Sequence, residues 1–108
     1  MSLLRAPQGI TLSTSLQTIY INTSDQREHV SVMFSNIDGS VACSITACNF
    51  IDVSPNSTNP MLPANYVVQA KDAVERKKIL DPGDSIAAAA SANGDIFALP
   101  EVFYREPV

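Results

Sequence analysis

Apolar and polar residues alternate at a period of two along much of this chain, the spacing of a half-buried strand. The clearest run is His29-Val30-Ser31-Val32-Met33-Phe34-Ser35-Asn36, with Val30, Val32 and Phe34 on one face and Ser31 and Ser35 on the other. Asp38-Gly39 then predicts a turn, and Val41, Cys43, Ile45 and Ala47 form the inward set of a return strand. These segments are expected to pair as a hairpin. Phe50 and Ile51 end the return strand with a change of phase that predicts a bulge. Upstream, Ile10 and Leu12, then Leu16, Ile19 and Ile21, are spaced by Thr, Ser and Gln, predicting two short strands before a turn at Asn22 to Gln26.

The last third is ordered by two turn signals, Pro82-Gly83 and Asn93-Gly94. Proline fixes φ at the first corner of a turn and glycine supplies positive φ at the second, while Asn-Gly favours a two-residue hairpin. Tyr66 to Leu80 is read as mostly extended, although a short helical turn around Asp72 to Arg76 also fits its pattern. Ala87-Ala88-Ala89-Ala90 favours helix by propensity. The two turns leave it about eight residues, too few for an isolated helix, so it is read as a strand of small side chains. Ile96 to Leu99 and Glu101 to Arg105 finish the sheet, with Pro100 interrupting it.

These elements predict an all-β protein, an antiparallel β-sandwich of jelly-roll or immunoglobulin-like type, with seven to nine short strands. Residues 1–9 are expected to form an extended N-terminal arm and residues 10–108 a single sandwich domain. A Pro-rich loop at residues 52–65 interrupts that domain, with Pro55, Pro60 and Pro63 separated by small polar residues. Loops of this length often carry binding functions.

At 108 residues the chain has the size of one domain, and its 45% apolar content suffices for one core. The net charge of −4 argues against nonspecific nucleic-acid binding, which requires a basic surface. Lys71, Arg76, Lys77 and Lys78 are the only basic cluster, interrupted by Asp72 and Glu75 and followed by Asp81. No stretch approaches the length of a membrane-spanning helix, and no membrane partner is expected. Met1 to Pro7 is too short for a secretion signal, so the protein is expected to begin at or near Met1 and to be made in the host cytoplasm.

Candidate chemistry is sparse. His29 is the single histidine; with the turn at Asp38-Gly39 it would lie opposite a residue near Cys48, a weak thiol or metal arrangement without a fourth ligand. A surface or edge histidine is favoured. Cys43 and Cys48 lie five apart, which on a regular strand sets them on opposite faces as buried free thiols. Asp81, Asp84 and Asp95 could gather carboxylates, but aspartate also caps turns, and capping is the favoured reading. The sequence suggests no reaction, so neither an enzyme nor a cofactor or metal is expected. Phe103 and Tyr104 fall on opposite faces of a strand, one expected to complete the core and the other to face a partner or the sheet edge.

The whole pattern resembles the small β-sandwich virion proteins of tailed bacteriophages. The resemblance rests on Thr18-Ile19-Tyr20, Val30 to Asn36 before a glycine-containing turn, the return strand Val41 to Ala47, and Ile79-Leu80-Asp81-Pro82-Gly83-Asp84-Ser85-Ile86 followed by Ala90 to Gly94. It implies a structural role in the virion, as a capsid decoration (cement) protein stabilising the shell from outside. The alternatives are a tail, neck or fibre-associated component, or a carbohydrate- or receptor-binding module. Its partners would be the major capsid protein and sister copies, in a trimer or dimer. The expected contact residues are Leu3, Leu4 and Arg5 of the arm, Pro55, Pro60, Met61 and Leu62 of the loop, and Tyr66 beside it. Met61 and Leu62 could equally pin the loop to its own domain.

Overall fold

A computed structural model describes residues 9–54 and 56–107. Leu3, Leu4 and Arg5 of the expected arm, and Pro55 of the loop, lie outside the described residues. Among the described residues there are nine strands and no helix. They are β1 (Ile10–Thr11), β2 (Gln17–Ile21), β3 (Glu28–Asn36), β4 (Cys43–Asp52), β5 (Ser57–Pro60), β6 (Tyr66–Val68), β7 (Ala73–Leu80), β8 (Ser85–Ala90) and β9 (Ile96–Arg105).

Two antiparallel sheets pack face to face. The first has the order β1-β9-β3-β7; the second has the order β2-β8-β4-β5, with β6 pairing the other half of β4. β5 pairs Asn49 to Asp52 and β6 pairs Cys43 to Ile45, so together they act as one interrupted edge strand. With β5 and β6 counted as one, the eight strands fill two four-stranded layers between which the chain crosses at almost every connection. This is jelly-roll topology; an immunoglobulin sandwich would pair more consecutive strands within a sheet.

That topology corrects the expected hairpin. β3 pairs β7 and β9, whereas β4 pairs β8, β5 and β6. The Asp38-Gly39 turn therefore carries the chain from one sheet to the other. The same holds for Pro82-Gly83, between β7 and β8, and for Asn93-Gly94, between β8 and β9. Turn chemistry reverses the chain locally but leaves open which strand supplies the hydrogen bonds. The Pro-rich segment is also more ordered than a loop, because Ser57 to Pro60 pairs with the end of β4.

The inward faces follow the alternating pattern. Val30, Val32 and Phe34 of the first sheet are fully buried, as are Ile45, Cys48, Ile86 and Ala88 of the second. The strand of alanines is buried on both faces. A register shift between Ile45 and Ala47 puts the β4 bulge earlier than Phe50-Ile51 and restores Cys48 to the inner face. Both cysteines are thus buried and free, not on opposite faces. Pro100 lies inside a continuous β9. Its missing N–H falls on the side where the Ile96 carbonyl accepts from Leu12 N–H, and β1 pairs β9 there only at Phe97 and Ala98.

Every crossing between sheets takes backbone groups out of a ladder, and buried polar side chains satisfy them. Asn36 Nδ2 donates to the carbonyls of Val41 and Val68, both at 2.9 Å, and its Oδ1 accepts from Asp38 N–H. Asn22 has the same role at the other end, donating to the carbonyls of Gln26 and Leu80 and accepting from Ser24 N–H. Asp84 Oδ2 accepts from Asp81 N–H and Oδ1 from Val53 N–H, fastening the Pro82-Gly83 turn to the end of β4. Gly83, at φ 90°, is the residue this turn requires; a side chain there would also press on Val53.

One ion pair is buried at the edge of the core. Glu28, 1% exposed, accepts from Arg105 Nε at 3.0 Å and Nη2 at 2.5 Å, and its other oxygen accepts from the Tyr20 hydroxyl at 2.5 Å. Burial, followed by the hydrogen bond to Glu28, raises the Tyr20 phenol above its ordinary range. The cluster ties β3, β9 and β2 together across both sheets.

Removing Arg105 would leave the Glu28 carboxylate buried and unpaired, so Arg105→Met should lower stability by about 3 kcal/mol. A urea-denaturation midpoint close to that of the parent chain would contradict this. Burial also raises the Cys48 thiol to about 12. A thiol reagent at mildly alkaline pH is expected to leave both cysteines unmodified in the folded chain and to label both after denaturation, as counted by intact mass.

Candidate functional site

The outer face of the first sheet collects the exposed apolar side chains that the core does not use. On β3 the outward residues are His29, Ser31, Met33 and Ser35. Their cross-strand partners are Ile79, Lys77, Glu75 and Ala73 on β7, and Tyr104, Glu101, Leu99 and Phe97 on β9. Met33, Ile79, Leu99, Phe103 and Tyr104 are all substantially exposed. They form an apolar strip in two parts, Met33 with Leu99 and Ile79 with Phe103 and Tyr104, divided by the polar row Lys77, Ser31 and Glu101 and edged by Glu75.

A register shift in the β3–β9 pairing leaves Phe103 as an extra residue: His29 pairs with Tyr104 and Val30 with Val102. This corrects the expectation for the aromatic pair. Val102 takes the inward position, and Phe103 and Tyr104 are 49% and 48% exposed. The His29 ring stands edge-on to both, with centroids 6.0 Å from Phe103 and 5.1 Å from Tyr104. Its Nε2 lies 2.8 Å from Glu106 Oε2, which fixes the ring plane. His29, Lys77, Lys78, Ile79 and Phe103 line an open depression of about 350 Å³.

His29 is therefore a half-buried residue on the outer face of an inner strand, between β7 and β9, and the two cysteines lie in the opposite sheet. Among the described residues no three of His, Cys, Asp and Glu gather as a metal site. The three turn aspartates disperse: Asp84 caps the Pro82-Gly83 turn, Asp81 pairs with Arg27 at 2.7 Å, and Asp95 lies beside Ile37 at the far end of β3.

The residues expected to make contacts divide. Leu62 is buried in the core and Met61 packs against it, so both anchor the segment to its own domain. Pro60 is exposed on the β5 edge strand. Tyr66 is half-buried, its ring 5.7 Å beneath the Arg76 guanidinium.

Sequence reading missed the strip of Met33, Ile79 and Leu99 because these residues alternate with the core set and look like its continuation. The one signal was Met33 and Ile79 falling out of phase with Val32 and Leu80. β7 carries further chemistry on its inward side. Lys78 Nζ sits 4.5 Å over the Phe50 ring, so a cation closes the open side of the core at this edge strand.

No protein-family model, no curated protein sequence and no solved structure matches this chain.

Proposed function

We propose that this chain is a structural virion protein of a tailed phage, a capsid decoration protein that binds the outside of the shell and adds contacts between its subunits. The observation that carries this reading is the apolar strip Met33, Leu99, Ile79, Phe103 and Tyr104 on the outer face of one sheet. Clustered exposed apolar side chains with charges between and around them are the composition of a protein-binding face. A jelly-roll sandwich is a scaffold used in viral shells, although one fold serves many functions. A decoration protein needs such a face and no reacting groups.

Exposed apolar centres with polar rims provide association energy, while the rim sets register. Met33 and Leu99 are cross-strand partners at one end of the strip, and neither supports the core. A second reading, a glycan-binding module, is favoured by one feature, the half-exposed Phe103 ring beside His29 and Lys77. Sugar rings commonly stack on such an aromatic. A glycan array that binds the chain would favour this reading over the virion one.

The decisive measurement is the copy number of this chain per purified particle, by quantitative mass spectrometry. Many copies over the shell are expected; a few copies would indicate the tail or neck, and none would overturn the virion reading. The double substitution Met33→Ser, Leu99→Ser should leave the thermal unfolding of the free protein within a few degrees of the parent. It should reduce incorporation into particles at least tenfold, about 1.4 kcal/mol of binding.

A further inference from the structure

The long strand β3 links two unlike ends of the molecule. At its start lies the depression lined by His29, Lys77, Lys78, Ile79 and Phe103. Among the described residues neither Lys77 nor Lys78 forms an ion pair, although the chain as a whole carries a net charge of −4. Each ammonium instead rests over an aromatic ring, Lys77 on Phe103 and Lys78 on Phe50. Glu106 is occupied by His29 Nε2 and by a 4.0 Å contact with Arg27, while Glu75 and Glu101 hold the positions next to Lys77 on the same face without an ion pair to it. The depression therefore combines an apolar wall with one ammonium, that of Lys77, that has no ion-pair partner among the described residues; the Lys78 ammonium lies on the other face of β7, over Phe50.

At the other end of β3 the chain forms a knuckle, Ile37-Asp38. Ile37 is 58% exposed, the most exposed large apolar side chain among the described residues. It does not project from a slack loop. Its N–H donates to the Asp95 carbonyl at 2.9 Å, Asp38 N–H donates to Asn36 Oδ1, and Asp38 Oδ1 accepts from the N–H groups of Ser40 and Val41. These hydrogen bonds, the Ser40 one foremost, hold the Asp38 carboxyl below its usual range and so keep it ionised. Asp72 and Asp95 adjoin the knuckle through backbone contacts to Asn36 and Ile37, with Lys71 beside Gly39 as the one nearby cation.

An apolar projection with a carboxylate at its side thus occupies one end, and an apolar depression with the Lys77 ammonium occupies the other. They cannot meet within one chain: eight residues of strand separate His29 from Ile37, about 27 Å. We propose that a second copy of this chain is the occupant, with Ile37 of one copy seated against Ile79 and Phe103 of the next and Asp38 facing Lys77. The two surfaces differ, so the contact is head-to-tail, and successive copies either close into a ring or extend as a filament. Burial of Ile37 and Ile79 supplies the apolar part, and opposite charges select the orientation.

This self-assembly does not depend on the virion reading, because it is measured on the purified chain and not on particles. Sedimentation velocity of the full chain should show concentration-dependent association that weakens as salt is raised. Ile37→Ser, which blocks the knuckle, and Lys77→Glu, which blocks the depression, should each weaken it about tenfold or more. Both positions are exposed, and unchanged circular dichroism confirms folding. Mixed in equal amounts, the two variants should form a dimer and stop there, since the Lys77→Glu chain retains its knuckle and the Ile37→Ser chain its depression. A parent chain that stays monomeric to about 1 mM would overturn the proposal. So would variants that associate as the parent does, or a mixture that remains monomeric.

Discussion

The structure depends on satisfying backbone groups at the corners where the chain changes sheets. Most connections in this fold cross between the two layers, and each crossing removes N–H and C=O groups from a ladder in a partly buried place. A buried carbonyl left without a donor costs about 1–3 kcal/mol, comparable with burying a large apolar side chain. Asn22 and Asn36 meet that demand with one amide each, binding the local turn and also the carbonyl that ends a distant strand, Leu80 and Val68 respectively. Asp84 complements them from the opposite polarity, accepting N–H groups that a neutral amide oxygen would bind less strongly. Among the described residues no buried side-chain polar atom is left without a partner.

Because the corners are held by side chains, the strands are free to vary on their outer faces. The inner faces are closed by Val30, Val32, Phe34, Ile45 and Ile86, and Ala87 to Ala90 of β8 add only methyl groups between β2 and β4. The Glu28–Arg105 pair does for the edge of the core what the asparagines do for the corners: it joins β3 to β9 and, through Tyr20, to the second sheet. Specificity here comes from a few polar groups with fixed partners, while the apolar contacts supply most of the stabilisation without choosing among arrangements.

Alternation was enough to read the strands and their inward faces, because period two is a local property of the backbone. Val30, Val32 and Phe34 were legible for that reason, and Ala87 to Ala90 became a strand once the flanking turns had shortened it. Pairing was not legible. Asp38-Gly39, Pro82-Gly83 and Asn93-Gly94 encode reversal of direction, and an arch between sheets uses the same residues as a hairpin within one. Bulges defeated the parity argument at both informative places, moving Cys48 to the inner face and leaving Phe103 and Tyr104 both outside. The depression was hidden for another reason: His29 meets Glu106 and Tyr104 across more than seventy residues of chain, a separation no local pattern records.

An outward apolar strip on a two-layer sandwich invites indiscriminate association, and the surrounding residues restrict it. β7 is the open edge of the first sheet and carries Glu75, Arg76, Lys77 and Lys78 in sequence, so a strand adding to that edge would meet charge on both faces. Glu75 is oriented by Ser31 at 2.7 Å and stands opposite Met33, which places a fixed carboxylate against the Met33–Leu99 part of the strip. Flat stacking of identical strips would set these charges near their own copies. A partner that brings a carboxylate to Lys77 and keeps its own acids away from Glu75 and Glu101 avoids that repulsion. The charges around the strip therefore act as a filter on orientation, and the apolar residues supply adhesion only to a surface that passes it.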